Sequence, residues 1–143
     1  MAAQPRELSP DEIDAFLREQ RVARIGCRGA DEVYVVPVIY GYDGSALVAV
    51  TTEGKKIGLL RAEPRVCVEV DEYDLDGRGS WRSVIAYGRY DELAGAAVEP
   101  ALTLLRARFA GTSGRAAEPR PLGPNVVVVQ ITFDDISGRA VER

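Results

Sequence analysis

Thr51, Thr52, Gly54, Lys55 and Lys56 fall within six consecutive positions, where a β-branched run gives way to a short stretch of helix formers. Two hydroxyls, a glycine and two ammonium groups at the start of a helix can hold a phosphate. The first turn of a helix leaves backbone N–H groups unpaired and carries a partial positive charge. Glycine lets the backbone come close to an anion, and lysine adds a compact cation. An ordinary polar turn with solvated lysines accounts for the same residues, and on the local pattern alone it is the stronger reading.

The elements around this turn decide what it is for. Ser45–Thr52 reads as a strand, Lys55–Arg61 as a short helix stopped before Pro64, and Arg65–Tyr73 as an alternating strand with Val66, Val68 and Val70 on one face. Upstream, Ser9-Pro10-Asp11-Glu12 is a helix start with a capping box, and Ile13, Phe16 and Leu17 give that helix one apolar face, ending near Gln20. Val22–Cys27 and Val33–Tyr42 read as strands. Pro37, in the middle of the second, cannot donate to a ladder and implies an edge, a bulge or an opening in the sheet. Asp43-Gly44 is a hairpin signal. Downstream come the charged loop Asp74–Ser80 and the strand Trp81–Leu93, with Trp81, Ser83, Ile85, Tyr87 and Arg89 on one face. The helix Glu99–Ala110 follows, with Leu102, Leu105 and Phe109 at core spacing. After the loop Thr112–Pro124 comes the strand Asn125–Phe133, whose continuous apolar run implies burial on both faces, and the tail Ile136–Arg143 reads as an edge strand. Six strands joined mainly as hairpins, with three helices, predict a mainly β, antiparallel small barrel. No internal repeat or second domain is visible, so one domain over 1–143 is expected.

Composition removes several classes of chemistry. The chain has 143 residues and a net charge of −4, which gives no basic field for nucleic acid or an anionic membrane. No apolar run is long enough to span a bilayer, and MAAQPRELSPDE lacks a signal-peptide core, so a cytoplasmic location is expected. Histidine is absent, which excludes a Ser-His-Asp or Cys-His hydrolase in its usual form and leaves zinc without its commonest ligand. Cys27 and Cys67 each lie in an apolar strand pattern and read as two buried thiols. Neither the Rossmann glycine fingerprint nor the P-loop is present.

Taken in order, the pieces resemble the FMN-binding split-barrel family that includes pyridoxamine 5′-phosphate oxidase, in the branch of nitroimidazole-reductase-like flavoproteins. The matching pieces are Ile13-Phe16-Leu17, Val22–Gly26, Val35-Val36-Pro37-Val38-Ile39-Tyr40 and Leu47–Val50 running into Thr51–Lys56. Leu60-Arg61 with Pro64-Arg65-Val66 follows, then Trp81-Arg82-Ser83-Val84 with Gly88, and Ile136-Ser137-Gly138-Arg139. Their joint order, over nearly the whole chain, carries the likeness. It implies a six-stranded antiparallel split β-barrel with flanking short helices, and a homodimer with FMN in clefts between the subunits. The phosphate would lie at Thr51, Thr52, Lys55 and Lys56, next to Val50. The ring would run along Val36, Pro37, Val38 and Tyr40, using main-chain groups. Trp81 and Ser83 would approach it from the other subunit. Tyr40, Tyr87 and Arg82 are candidate polar groups near the ring.

The family likeness also implies an oxidoreductase acting on a small molecule. Pyridoxamine 5′-phosphate oxidases carry a C-terminal segment rich in Arg and Trp. This chain has no tryptophan after Trp81, which argues against that reaction. Many nitroimidazole-reductase-like members carry a histidine near the end of the strand corresponding to Leu47–Val50; its absence here argues against that chemistry and against haem held by histidine. A deazaflavin, which is also phosphorylated, would suit the same grip. A flavin- or haem-binding protein with a sensing or storage role is the alternative to an enzyme.

Overall fold

In a computed structural model, which describes residues 4–109 and 123–143, the chain forms one curled antiparallel sheet with helices at its ends and on one side. The elements are β1 (Arg6–Glu7), α1 (Pro10–Glu19), β2 (Val22–Arg28), β3 (Val33–Ile39), β4 (Gly41–Tyr42), β5 (Ala46–Thr52), α2 (Lys55–Ala62), β6 (Arg65–Tyr73), β7 (Trp81–Glu92), α3 (Val98–Phe109) and β8 (Val126–Val141). The ladder runs β3-β2-β6-β7-β8-β5-β4, with β1 added to the far end of β8. β3 ends the ladder. It lies near β5 without pairing to it, and this is where the barrel is split.

The expected antiparallel split barrel is the observed architecture, with eight strands in place of six. The two additions are two-residue strands, β1 and β4, too short to leave a periodic signal. The predicted strand Val33–Tyr42 is broken at the buried Tyr40, because the residues before it pair with β2 at one end of the ladder and those after it pair with β5 at the other. A second correction concerns the C-terminus. The predicted strand Asn125–Phe133 and the tail Ile136–Arg143 form one 16-residue strand, β8, which lies inside the sheet. Its far half pairs with β7 on one side and β1 on the other.

The local physics is conventional. Ser9 caps α1, its hydroxyl accepting from the Glu12 N–H at 3.2 Å while the Glu12 carboxylate accepts from the Ser9 N–H at 3.0 Å. Ile13, Phe16 and Leu17 are buried, each contributing about 1.5–3 kcal/mol by leaving water. The far end of α1 is closed by Arg108 of α3, whose guanidinium donates to the Leu17 carbonyl at 2.6 Å and to the Arg18 carbonyl. Asp43 accepts from the Ser45 and Ala46 N–H groups, both at 2.8 Å, and Gly44 takes φ 98° to complete the turn.

β8 is buried on both faces over Val127–Val129, as its continuous apolar run predicts. One face looks into the barrel, and the other meets α3 through Ala101 and Leu105. The buried line of α3 is therefore Ala101–Leu105, with the expected Leu102 only half-buried at its margin. The Phe109 side chain, and the predicted loop Thr112–Pro124 up to residue 122, lie outside the described residues. Among the described residues no helix is long and apolar enough to cross a membrane.

Candidate functional site

The strand β5 delivers Val50, Thr51 and Thr52 to the lip of the split. Val50 and Thr52 are exposed and Thr51 half-buried. The chain then turns through Glu53, whose N–H donates to the Asn125 carbonyl at 2.8 Å, and starts α2 after Gly54. Gly54 is extended, makes no side-chain cap, and has open space where a Cβ would stand. The first N–H groups of α2 therefore have no side-chain cap. The turn's own carboxylate is removed from the scene. Glu53 is held by Arg61 at 2.7 and 2.9 Å, and Arg61 also binds Glu92 at 2.6 Å.

The two lysines are not equivalent. The Lys55 ammonium contacts Glu32 at 2.7 Å and lies 5.0 Å from the centre of the Tyr34 ring. The Glu32 contact holds its pKa above the ordinary lysine value. Lys56 is half-buried, has no ion pair among the described residues, and neighbours the buried Cys27 thiol. Burial pushes its pKa down, because its charge has lost water without gaining a carboxylate. Such a cation is the natural counter-charge for an incoming anion.

Across the split, β3 presents its free edge. Val35, Pro37 and Ile39 point outward and are exposed; Val36 is half-buried and Val38 buried. Pro37 lies opposite Arg24 in the ladder, on an edge strand, as a residue without an N–H requires. An edge strand offers main-chain groups along its unpaired side, and β3 lies near β5. The structure thus sets β3 near β5, and Lys55 at the start of α2 against Glu32 and Tyr34 of the β2–β3 hairpin.

Two expectations, those for the Tyr40 hydroxyl and for Arg82, change. The Tyr40 side chain is fully buried, and its hydroxyl donates to the Leu17 carbonyl at 2.6 Å beneath Arg108. Burial raises its pKa to about 12, so it remains a donor fixed in the core and is no polar group for a ligand. Arg82 lies on the opposite strand face from Trp81 and Ser83, tied to Glu19 at 3.2 Å and to Glu72. Trp81 and Ser83 are far from the phosphate turn within one chain. Trp81 pairs with Val141 of β8 and Thr51 with Val127, fourteen positions away, or about 45 Å of strand. Trp81 stacks on Tyr73 at 6.0 Å beside a groove of ≈ 330 Å³ lined by Glu72, Asp74, Ser80, Arg82, Val141 and Glu142. Tyr87 is exposed on the outer face, in the same column as Ser83 and Ile85.

Glu32 and Tyr34 were silent in the sequence. Nothing in the turn Arg28–Glu32 announces a lysine 23 positions later; only the β2–β3 hairpin places it there. Glu69 was equally silent. It lies on the outer face beside Arg24, which reaches it at 3.8 Å and Asp71 at 3.0 Å, and its Oε1 is buried without a partner among the described residues. The two cysteines point to opposite faces of neighbouring strands, Cys27 buried and Cys67 half-buried, and both are free thiols. Among the described residues no cluster of ligands could hold a metal ion.

The sequence model for pyridoxamine 5′-phosphate oxidase matches residues 9–140. The chain belongs to the pyridoxamine 5′-phosphate oxidase family. The chain is similar to the crystal structure of a FAD-binding protein from Mesorhizobium loti, at 31% identity and TM-score 0.81, over 99% of this chain and 100% of that one. A proposed 5-nitroimidazole antibiotic resistance protein from Bacteroides thetaiotaomicron shares the fold, at 17% identity and TM-score 0.81, over 98% of this chain and 89% of that one. A curated protein of Rhizobium meliloti (strain 1021) is 32% identical over 88 residues, 62% of this chain, and the match spans 57% of that protein's length.

Proposed function

We propose that this member of the pyridoxamine 5′-phosphate oxidase family is a flavin-binding homodimer that holds FMN at the split and serves as an oxidoreductase for a small molecule. The observation that carries the reading is the opening between β3 and β5. An edge strand with free main-chain groups lies near a strand end that runs into an uncapped helix start with a half-buried Lys56 that has no ion pair among the described residues. A flavin nucleotide needs these parts: a flat slot with a few backbone hydrogen bonds, and a cationic seat for its phosphate. Thr51, Thr52, the first N–H groups of α2 and Lys56 would hold the phosphate, with Lys55 able to join them. Val36, Pro37 and Val38 would hold the ring edge. When bound, the flavin supplies hydride transfer between a donor and an acceptor.

The reach of one chain supports the second copy. Trp81 and Ser83 cannot meet the phosphate turn of their own subunit, yet they stand on an outer face where Val22, Val35, Ile39, Ile85 and Tyr87 are all more than 40% exposed. These exposed apolar side chains, set among Arg24, Glu69 and Asp71, are costly in water, and a twofold dimer is the commonest way to cover them. Binding of the FAD-binding relative's ligand class fits the same parts. Haem held by histidine does not, since the chain has none.

The test is direct. Protein stripped of bound cofactor and titrated with FMN is expected to quench flavin fluorescence at one FMN per chain, with weaker binding of riboflavin, which lacks the phosphate. Tighter binding of FAD or of a deazaflavin would replace the ligand but keep the site; no binding of any flavin would overturn the proposal. Bleaching of bound FMN by NAD(P)H distinguishes the enzyme from a sensing or storage protein.

A further inference from the structure

Glu32 stands where the phosphate reading would least want a carboxylate, and the fold holds it there. The Gly29 N–H donates to the Glu32 carbonyl at 2.9 Å, closing the β2–β3 turn. A Cβ on Gly29 would lie 3.0 Å from Leu59 of α2, so the turn rests directly on the helix. Arg28 adds a contact to Glu63 at 3.7 Å just past its end. Turn and helix are thus docked at both ends of α2, and Glu32 meets Lys55 at 2.7 Å as a consequence. The Tyr34 ring, 5.0 Å from the same ammonium, supports the parked position from β3. Lys56, one residue on, has no such partner among the described residues.

The geometry points to Glu32 as the residue that sets how strongly the cleft discriminates phosphorylated from unphosphorylated flavin. By occupying Lys55 it leaves the phosphate with one committed lysine instead of two. A phosphate that recruits Lys55 must break the Glu32 contact, so part of its attraction is cancelled. A phosphate-free ligand meets no such opposition, because it never needs Lys55. This inference rests on the flavin reading above and adds a specificity residue to it.

Glu32 and Lys55 are both exposed, so their substitutions spare the core. Dissociation constants for FMN and for riboflavin are to be measured at low salt for the unaltered chain, Glu32→Gln, Lys55→Ala and the double variant. Glu32→Gln is expected to tighten FMN roughly three- to tenfold and leave riboflavin unchanged, with a gain that shrinks as salt rises. In the Lys55→Ala background the same substitution should do nothing. An unchanged or weaker FMN affinity in Glu32→Gln, or an equal gain without Lys55, overturns the assignment while leaving the flavin site standing. If neither FMN nor riboflavin binds the unaltered chain, the flavin reading fails and this inference with it.

Discussion

Lys55 and Lys56 are adjacent in sequence and carry the same charge, but their surroundings give them different work. Lys56 has lost water and has no carboxylate partner among the described residues, whereas Lys55 is already paired with Glu32. Lys56→Ala is therefore expected to weaken FMN by about tenfold or more, in line with a charge-assisted contact of about 1.5–3 kcal/mol, and to leave riboflavin nearly unaffected. Lys55→Ala should cost less; equal losses in a fluorescence titration would contradict the distinction. Tyr40 makes the opposite case. Its hydroxyl serves the core, so Tyr40→Phe should lower stability by about 1 kcal/mol in chemical denaturation and leave flavin affinity unchanged. Glu12 supplies a pH signature. The Arg6 guanidinium and the capping bond hold its pKa at about 2, below the ordinary carboxylate value. A depressed carboxylate stabilises the fold above its unfolded pKa and loses that contribution as pH falls through the folded one. The melting temperature should therefore fall between about pH 4.5 and 2. Glu12→Gln should show a shallower fall over the same range, and an identical pH profile would contradict the role.

At the scale of elements, the sheet is legible where its periodicity is strong. The alternation of Val66, Val68 and Val70, the capping box at Ser9 and the edge position demanded by Pro37 all follow from local chemistry, and all are found. The merging of two predicted segments into β8 was not legible. The interruption at Asp134-Asp135 looks like a turn, but cross-strand partners on β7 keep it extended, with a register shift opposite Tyr87-Gly88. That irregularity has its own requirement. A Cβ on Gly88 would run into the Thr132 carbonyl oxygen and lie 3.1 Å from Ile131. Gly88→Ala should thus destabilise the fold by about 2–3 kcal/mol, seen as a lowered denaturation midpoint with an unchanged slope. A wild-type midpoint would show that the two strands separate easily there. The site divides in the same way. Residue types at Thr51–Lys56 marked a polar helix start, on which the proposed anion seat is argued. The Glu32–Lys55 contact and the unpartnered Glu69 oxygen depend on strand register, which a single sequence carries only weakly.

For the whole molecule, the central question is whether one chain or two make the site. Register places Trp81 about 45 Å and Ser83 about 40 Å of strand from the phosphate turn, and the outer face carries exposed Ile85 and Tyr87 among charged side chains. The account therefore requires each cleft to draw its phosphate seat from one copy and its aromatic wall from the other. The most direct measurement mixes two defective proteins, Lys55→Ala/Lys56→Ala and Trp81→Ala/Ser83→Ala, under conditions that exchange subunits, and titrates FMN. Each parent dimer has two damaged clefts. In a hybrid dimer both lesions fall in one cleft, leaving the other intact. With random exchange, tight binding should return to about a quarter of all sites. Titration of the mixture as the simple sum of its two parents, with no tight sites regained, would contradict a cleft shared between subunits.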